Sequence, residues 1–417
     1  MAGQPLRPDF ALFEEAQQNL YAPDNPDGAI PLCIAENLLQ WEALRDQAKV
    51  IMQQDWPDWL PAYSPLAGQP VFREAVAQFV GTHIAGRELN AEFFCGSAGA
   101  TAVIELTALC LGAPGDYAVF PAPAYQAYQP DINHKAGLRR YDLTDYDRDF
   151  GSDFHPLTTA VLDRTYRELG DKFRMLVLTQ PDNPTGAVYS AQQLRDITDW
   201  CIDRKVHLIV NEIYALSQFD RGEMTVDNHS PYTSFLPLLE ERDSAYLHWW
   251  YSFSKDFGVS GFRAGVLYTR NEQLRSAYTN FNAPHQISNL SQWLLSELLR
   301  DEDWVSEFQR RNQQLLTASY LIVTDALDEL DVPYAAARGS LFVWADFSGY
   351  LDQPSQEAAE ALWREVFEET GVLLTAPGGL GQPQAGWYRI VYSGVSATAL
   401  QEAMDRLVEK FSVLLQP

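Results

Sequence analysis

Tyr251-Ser252-Phe253-Ser254-Lys255-Asp256-Phe257-Gly258-Val259-Ser260-Gly261-Phe262-Arg263 is the stretch on which the reading of this chain turns. It follows an apolar, aromatic run from Tyr246 to Tyr251 that reads as a buried strand, and glycines break the pattern just after it. Six lysines occur in the chain, and Lys255 is the one placed where a buried strand empties into a loop. Desolvation there disfavours the ammonium form, which suits an amine that must act as a nucleophile. Ser252, three residues before it, and Arg263, eight after, offer a hydroxyl and a guanidinium to grip a phosphate beside the amine. A surface lysine in a serine-rich turn would read the same way in this window alone.

Composition bounds the rest. A chain of 417 residues predicts two or three domains, and 46% apolar with 12% aromatic residues is a core-forming composition. The net charge of −26 argues against nucleic acid or an anionic membrane as a partner, but not against an anionic small molecule in a local pocket. Cys33, Cys95, Cys110 and Cys201 lie far apart without a CxxC pair, and the seven histidines make no HxH or HxxxH pair. Reduced core thiols and no metal site are expected. With no apparent signal peptide and no run near the ~20 apolar residues of a membrane span, a soluble, cytoplasmic protein is expected.

Taken in order, residues 1–30 read as an irregular arm, Pro31 to Asn37 as a short strand, and Leu38 to Met52 as a helix. A turn-rich loop, Tyr63 to Pro70, leads into a helix from Val71 to Gly81. Phe93 to Ala100 runs from a strand into a small-residue turn at Ser97-Ala98-Gly99 and on into a helix. Open N–H groups at such a helix start make a phosphate cradle, though close helix–strand packing explains the same small residues. A strand from Tyr117 to Phe120 precedes a proline-stiffened segment holding Tyr125 and Tyr128; by pattern alone both read as core, and Tyr128 is taken as packing. Residues 131–173 read as a solvated loop followed by a helix, Leu157 to Leu169.

The strand Met175 to Thr179 ends in Asn183-Pro184-Thr185-Gly186, and ligands of open parallel sheets sit beyond that end of the strands. Helix Ala191 to Arg204 returns to strand Val206 to Val210, which ends in Asn211-Glu212-Ile213-Tyr214. Alternation along a strand sends Glu212 to the face opposite Asn211. After Gly265 to Tyr268, long amphipathic helices fill Leu274 to Arg311, and from about residue 320 the pattern becomes α+β. There Gly386 to Tyr392 alternates and buries Arg389, which demands an anionic partner, structural or substrate. Thr398 with Gln401 suggests a capping box on the last helix.

The lysine window resembles the pyridoxal-phosphate segment of class I/II aminotransferases, most closely that of the 1-aminocyclopropane-1-carboxylate (ACC) synthases in that superfamily. The order of the other motifs, over about residues 20 to 415, is similar to fold-type-I pyridoxal-phosphate enzymes. This resemblance implies an α/β fold: a large domain with a mostly parallel, helix-covered sheet, plus a smaller α+β domain. It divides the chain into 1–55 (arm and part of the small domain), 56–315 (large domain) and 316–417 (small domain). It implies Lys255 as Schiff-base residue and base, and Ser252, Arg263, Ser97, Ala98 and Gly99 around the cofactor phosphate. Tyr125 would stack on the pyridine ring, while Asn183 and Tyr214 would bond its O3′. Arg389 would clamp the substrate carboxylate, with Ala35 and Glu36 lining the substrate pocket. Tyr63 would reach the phosphate in a neighbouring subunit of a homodimer.

Two departures matter. The family has Asp-x-x-Tyr where this chain has Asn211-Glu212-Ile213-Tyr214, and a neutral amide supplies no charge to hold a pyridinium. Three readings follow: a slower or different reaction, compensation by another acid, or an altered site. ACC synthases carry their tyrosine two residues before the loop glycine, where Leu66 stands, and the Tyr63 spacing resembles ordinary aminotransferases instead. The implied reaction is therefore conversion of an α-amino acid through an external aldimine, with aminotransfer placed first. ACC-synthase-type γ-elimination and a catalytically silent cofactor-binding protein are the alternatives.

Overall fold

Side chains on the central strands alternate between two apolar cores, which is what a sheet covered by helices on both faces requires. In the computed structural model, which describes residues 8–146, 150–152, 155–220 and 232–414, the strand Phe173–Thr179 sends Leu176 and Leu178 into one core. Met175 and Val177 enter the other. Trp249 and Tyr251 divide from Trp250 in the same way on Leu247–Ser252.

The strands are β1 (Ile30–Leu32), β2 (Phe94–Ser97), β3 (Tyr117–Pro121), β4 (Arg139–Leu143), β5 (Phe173–Thr179), β6 (His207–Asn211), β7 (Leu247–Ser252), β8 (Gly265–Thr269), β9 (Phe342–Asp346), β10 (Val372–Leu374) and β11 (Trp387–Val391). Seven of them form one sheet in the order β2-β8-β7-β6-β5-β3-β4, with β8 antiparallel to both neighbours and the other pairs parallel. The C-terminal ends of β2, β3, β5, β6 and β7 therefore share one edge of the sheet, and β8 begins there. Every motif singled out between Ser97 and Arg263 follows one of these ends or precedes β8.

A separate core joins the two ends of the chain. β1 pairs in parallel with β10, β9 pairs antiparallel with β11, and Ile30 and Leu32 pack with residues of helices Gln356–Thr370 and Ala397–Leu414. Helix Glu302–Glu329 runs unbroken across the boundary expected near residue 315, with its later turns packed in this core.

Three sequence expectations need correction. Residues 131–173 contain β4 ahead of the expected helix, which is present as Thr159–Leu169, and helix Tyr128–Asn133 reaches into their first positions, so the part read as loop is not loop throughout. The strand was hidden because it is an edge strand carrying charges, the usual protection of an unpaired edge. Its Arg140 is consumed by Asp142 and by the carbonyls of Ala124, Tyr125 and Leu380. The first strand stops at Leu32, since the Cys33 carbonyl turns to accept from Thr375 and Arg389. Ser396, not Thr398, caps the last helix: its hydroxyl accepts from the Ala399 N–H at 3.2 Å, two residues earlier than the expected box.

A buried imidazole pair crosses β6 and β7, with His207 Nδ1 2.9 Å from His248 Nε2 and His248 Nδ1 2.8 Å from Thr269 Oγ1. Burial pushes His207 down to about 4, with Arg174 acting in the same direction, and lowers His248 well below its ordinary value. Unfolded imidazoles titrate near 6.5, so below that pH the unfolded chain binds more protons than the native one, and stability falls as pH drops toward 4. Between about pH 7.5 and about pH 5 the loss from His207 is roughly 2 kcal/mol. Urea unfolding at these two pH values should show a smaller acid loss in the His207→Gln/His248→Gln protein than in wild type. An equal loss in both would refute the assignment.

Candidate active site

The shared strand edge opens into a cleft of about 340 Å³. Lys255 enters it from a single helical turn, Phe253–Asp256, that begins where β7 ends. Its Nζ donates to the Ala35 carbonyl at 2.6 Å. Burial pushes the ammonium down to about 8, Arg389 and Arg263 add to the fall, and Glu36 opposes it. The segment Ala35-Glu36-Asn37 is fastened to this turn, since Asn37 Nδ2 donates to the Lys255 carbonyl at 3.1 Å and to Asn312 Oδ1 at 2.9 Å. Gly258 lets the chain pass: φ is 68°, and a side chain there would collide with the Asn37 carbonyl. Ala35 and Glu36 both line the cleft.

Arg389 is 4% exposed on β11 and reaches the same cleft. Its partners are all neutral: Asn183 Oδ1 at 2.8 Å, Thr375 Oγ1 at 3.3 Å and the Cys33 carbonyl at 3.3 Å. Among the described residues no carboxylate forms an ion pair with it, so the anion expected for a buried guanidinium is left for a ligand to supply. Asn183 continues the chain of contacts, its Nδ2 lying 3.3 Å from the Tyr214 hydroxyl. Burial pushes Tyr214 far above its usual range, keeping the phenol protonated.

At the other end of the cleft the expected phosphate turn is present but differently used. The Ser97 hydroxyl faces away, 2.6 Å from both Tyr278 Oη and Asn282 Oδ1. The Ala98 N–H is given to the His285 carbonyl and that of Gly99 to the Ser97 carbonyl. The wall is formed one step later by Ala100 and Thr101, which open the helix Ala100–Leu111 and whose N–H groups belong to its first turn. Gly99 has a steric task instead: φ is 87°, and a Cβ would sit 2.5 Å from the Arg263 guanidinium. That guanidinium spans the helix mouth, donating to the Ser260 carbonyl at 2.9 Å and the Ala98 carbonyl at 3.3 Å. Ser252 lies beneath the lysine turn, donating to the Ala264 carbonyl, and Ser254 takes the place on the cleft wall expected of it.

Tyr125 and Ile213 line the cleft, and so does Tyr128, which sequence pattern assigned to packing. Asn211, 6% exposed, donates from Nδ2 to the Tyr128 hydroxyl at 2.9 Å, and its Oδ1 accepts the Ile213 N–H at 3.2 Å. Tyr128 also lies 2.8 Å from Thr179 Oγ1. Glu212 points away, as alternation requires, and is held by Gln180, Ser234, Trp249 and the Phe235 N–H. Tyr63 is 98% exposed and lies outside the cleft of its own chain. Among the described residues no cluster of metal-ligand side chains occurs, and no helix is long and apolar enough to cross a membrane.

Comparison with known proteins fits this geometry. Residues 27–407 match the family described as aminotransferase class I and II. An ACC synthase of Glycine max is 27% identical over 417 residues, covering 96% of this chain and 84% of that protein. A mouse protein named probable inactive 1-aminocyclopropane-1-carboxylate synthase-like protein 2 is 31% identical over 406 residues, covering 95% and 68%. Among solved structures, an aromatic aminotransferase from Pyrococcus horikoshii OT3 superposes with TM-score 0.76 at 20% identity, covering 96% of this chain and 99% of its own. An aspartate aminotransferase from Thermus thermophilus gives 0.75 at 19% identity, with 97% of each chain covered. The chain is thus a fold-type-I member of the aminotransferase class I and II family, with ACC synthases among its relatives.

Proposed function

We propose that the cleft binds pyridoxal 5′-phosphate and that the protein removes the Cα proton of an α-amino acid, with aminotransfer to a 2-oxo acid as the reaction. The observation that carries this reading is a buried amine of lowered basicity, Lys255, sharing one cleft with a buried guanidinium, Arg389, that has only neutral partners. The residues present fit the cofactor. Ser254, Arg263 and the N–H groups at the start of helix Ala100–Leu111 suit its phosphate, Tyr125 and Ile213 its ring faces, and Asn183 with Tyr214 its ring hydroxyl. The chemistry such a group supplies when bound is covalent capture of an amine and withdrawal of electrons from the carbon beside it.

This chain's own residues supply the rest. Arg389 grips the substrate carboxylate and orients Cα, Asn183 steadies the guanidinium, and the Lys255 amine takes the proton. Tyr63, Trp56, Leu66 and Leu290 are all exposed, and we take them as one apolar patch because their loop and helix are joined by hydrogen bonds. The patch is tied together by Asn289, which donates to the carbonyls of Trp59, Leu60 and Ala62, and by Gln286, which donates to that of Ser64. Such a patch suits a second copy of the chain, whose site would receive Tyr63. The Tyr63 spacing, with Leu66 where ACC synthases carry tyrosine, favours aminotransfer. A second reading, γ-elimination from S-adenosylmethionine or a related amino acid, draws on the ACC synthase relatives and on Glu36 at the cleft wall. A third, cofactor binding without turnover, draws on Asn211 and on the mouse relative named inactive.

Incubation with an amino acid should yield a 2-oxo acid and the amine form of the cofactor; release of methylthioadenosine from S-adenosylmethionine would move the assignment to elimination. Borohydride reduction of the cofactor-loaded protein and peptide mapping should place the label on Lys255, and label elsewhere or none would end the reading. Lys255→Ala should lose Cα-proton exchange on the order of 10³-fold. Arg389→Lys removes bidentate geometry and should lower kcat/KM about 10- to 100-fold for substrates bearing an α-carboxylate. In the cofactor-free protein, acylation of Lys255 followed against pH should titrate near 8, and Glu36→Gln should move the midpoint down, since Glu36 raises it. An unchanged or higher midpoint would mean that Glu36 does not face the amine.

A further inference from the structure

We propose that Asn211 is locked as a hydrogen-bond donor toward the cofactor ring nitrogen, so that this protein holds that nitrogen without a proton. The inference rests on the reading that the cleft binds pyridoxal 5′-phosphate. A backbone N–H can only donate, so the amide atom 3.2 Å from the Ile213 N–H must be the oxygen. The other amide atom, Nδ2, then faces the Tyr128 hydroxyl at 2.9 Å. Tyr128 accepts there, and it shares a second hydrogen bond with Thr179 Oγ1 at 2.8 Å, in which either hydroxyl can donate. Burial pushes the Tyr128 phenol up to about 12, so it stays neutral and can play this part at any ordinary pH.

Rotating the amide by a half turn would set NH₂ against the Ile213 N–H and forfeit that bond. Nδ2 has a second hydrogen and Asn211 lines the cleft; with Oδ1 engaged by the Ile213 N–H, that hydrogen is the group assigned to the ligand in this proposal. A pyridine nitrogen meeting a donor must present its lone pair. A carboxylate at this position would accept from Ile213 and Tyr128 alike and would hold a pyridinium by charge.

Other acids are accounted for. Glu212 lies on the opposite face, spent on four donors. Glu36 lines the cleft and acts on Lys255. Asp131 also lines the cleft, 9% exposed, with Oδ2 lacking any hydrogen-bond partner. It is the remaining candidate source of charge, and the test includes it.

Cofactor labelled with ¹⁵N at the ring nitrogen, reconstituted into the full-length protein, reports the proton directly when its resonance is calibrated against free cofactor titrated through ring protonation. Wild type should resonate at the unprotonated position between about pH 6 and about pH 9, and Asn211→Asp should move to the pyridinium position. A pyridinium shift in wild type would overturn the proposal, and its loss in Asp131→Asn would name Asp131 as the acid responsible. An Asn211→Asp protein that binds cofactor with no change in resonance would overturn it equally. Failure of the wild-type protein to bind cofactor, with no borohydride label, would instead sink the functional reading and this one with it.

Discussion

Beneath the lysine turn lies a carboxylate with no route to water, and the arrangement of the cleft depends on how it is satisfied. Asp256 accepts from the Ser217 hydroxyl at 2.6 Å, the Leu216 N–H at 3.1 Å and the Tyr251 hydroxyl at 3.0 Å. Burial still pushes it up to about 7 against those donors, so desolvation outweighs the hydrogen bonds that favour the charged form. Its partners belong to the end of β7 and to the turn after Tyr214, so the two turns bearing Lys255 and Tyr214 are stitched by one side chain. The neighbouring amine gains from this indirectly. A carboxylate facing Lys255 would favour the ammonium, but Asp256 is spent below the turn and does not figure among the charges acting on it.

The same separation explains how a chain of net charge −26 can gather positive charge in one cleft. Surface charges beyond a Debye length of about 8 Å are screened, whereas groups in a closed cleft act on one another directly. Inside the cleft stand Lys255, Arg263 and Arg389, against Glu36 and Asp131. Arg389 and Arg263 both disfavour the ammonium of Lys255, so the guanidiniums that suit an anionic ligand also help keep the amine reactive. Binding an anion at either guanidinium would weaken that effect, which couples ligand capture to proton affinity at Lys255.

What the sequence made legible was the ends of strands. Lys255, Asn183, Asn211 and Tyr214 follow apolar runs long enough to be central strands, and alternation alone sent Glu212 to the far face. The orientation of short side chains within turns was not legible. Ser252 and Ser254 are two residues apart with the same hydroxyl, and only the path of the turn decides that Ser254 lines the cleft while Ser252 donates to the Ala264 carbonyl. Ser97 and Ala98 were read as a cradle because small residues precede a helix, yet their polar groups are claimed by Tyr278, Asn282 and His285, contacts more than 180 positions away in the chain. Arg389 was legible as buried, but Thr375 and the Cys33 carbonyl, which hold it, carry no pattern that marks them. Tyr128 looked like core because an aromatic three residues after another in a forming helix usually is.

Tyr128 also bears on what the amide at 211 means. A phenol can donate or accept, so it can serve a carboxylate or an amide at that position without any other change. With Asn211 in place, every polar atom around it has a partner: Nδ2 with Tyr128, Oδ1 with Ile213, and Tyr128 with Thr179. Buried polar groups cost about 1–3 kcal/mol each when left unpaired, so this pairing stabilises the fold around the amide whatever chemistry the cleft performs. None of the atoms of Asn211, Tyr128 or Thr179 is among the buried unsatisfied ones of the described residues. Arg389 likewise reaches Asn183, and among the described residues no carboxylate pairs with it. An uncharged residue at 211 thus stands within a complete hydrogen-bond network, in the same cleft as a guanidinium that has only neutral partners.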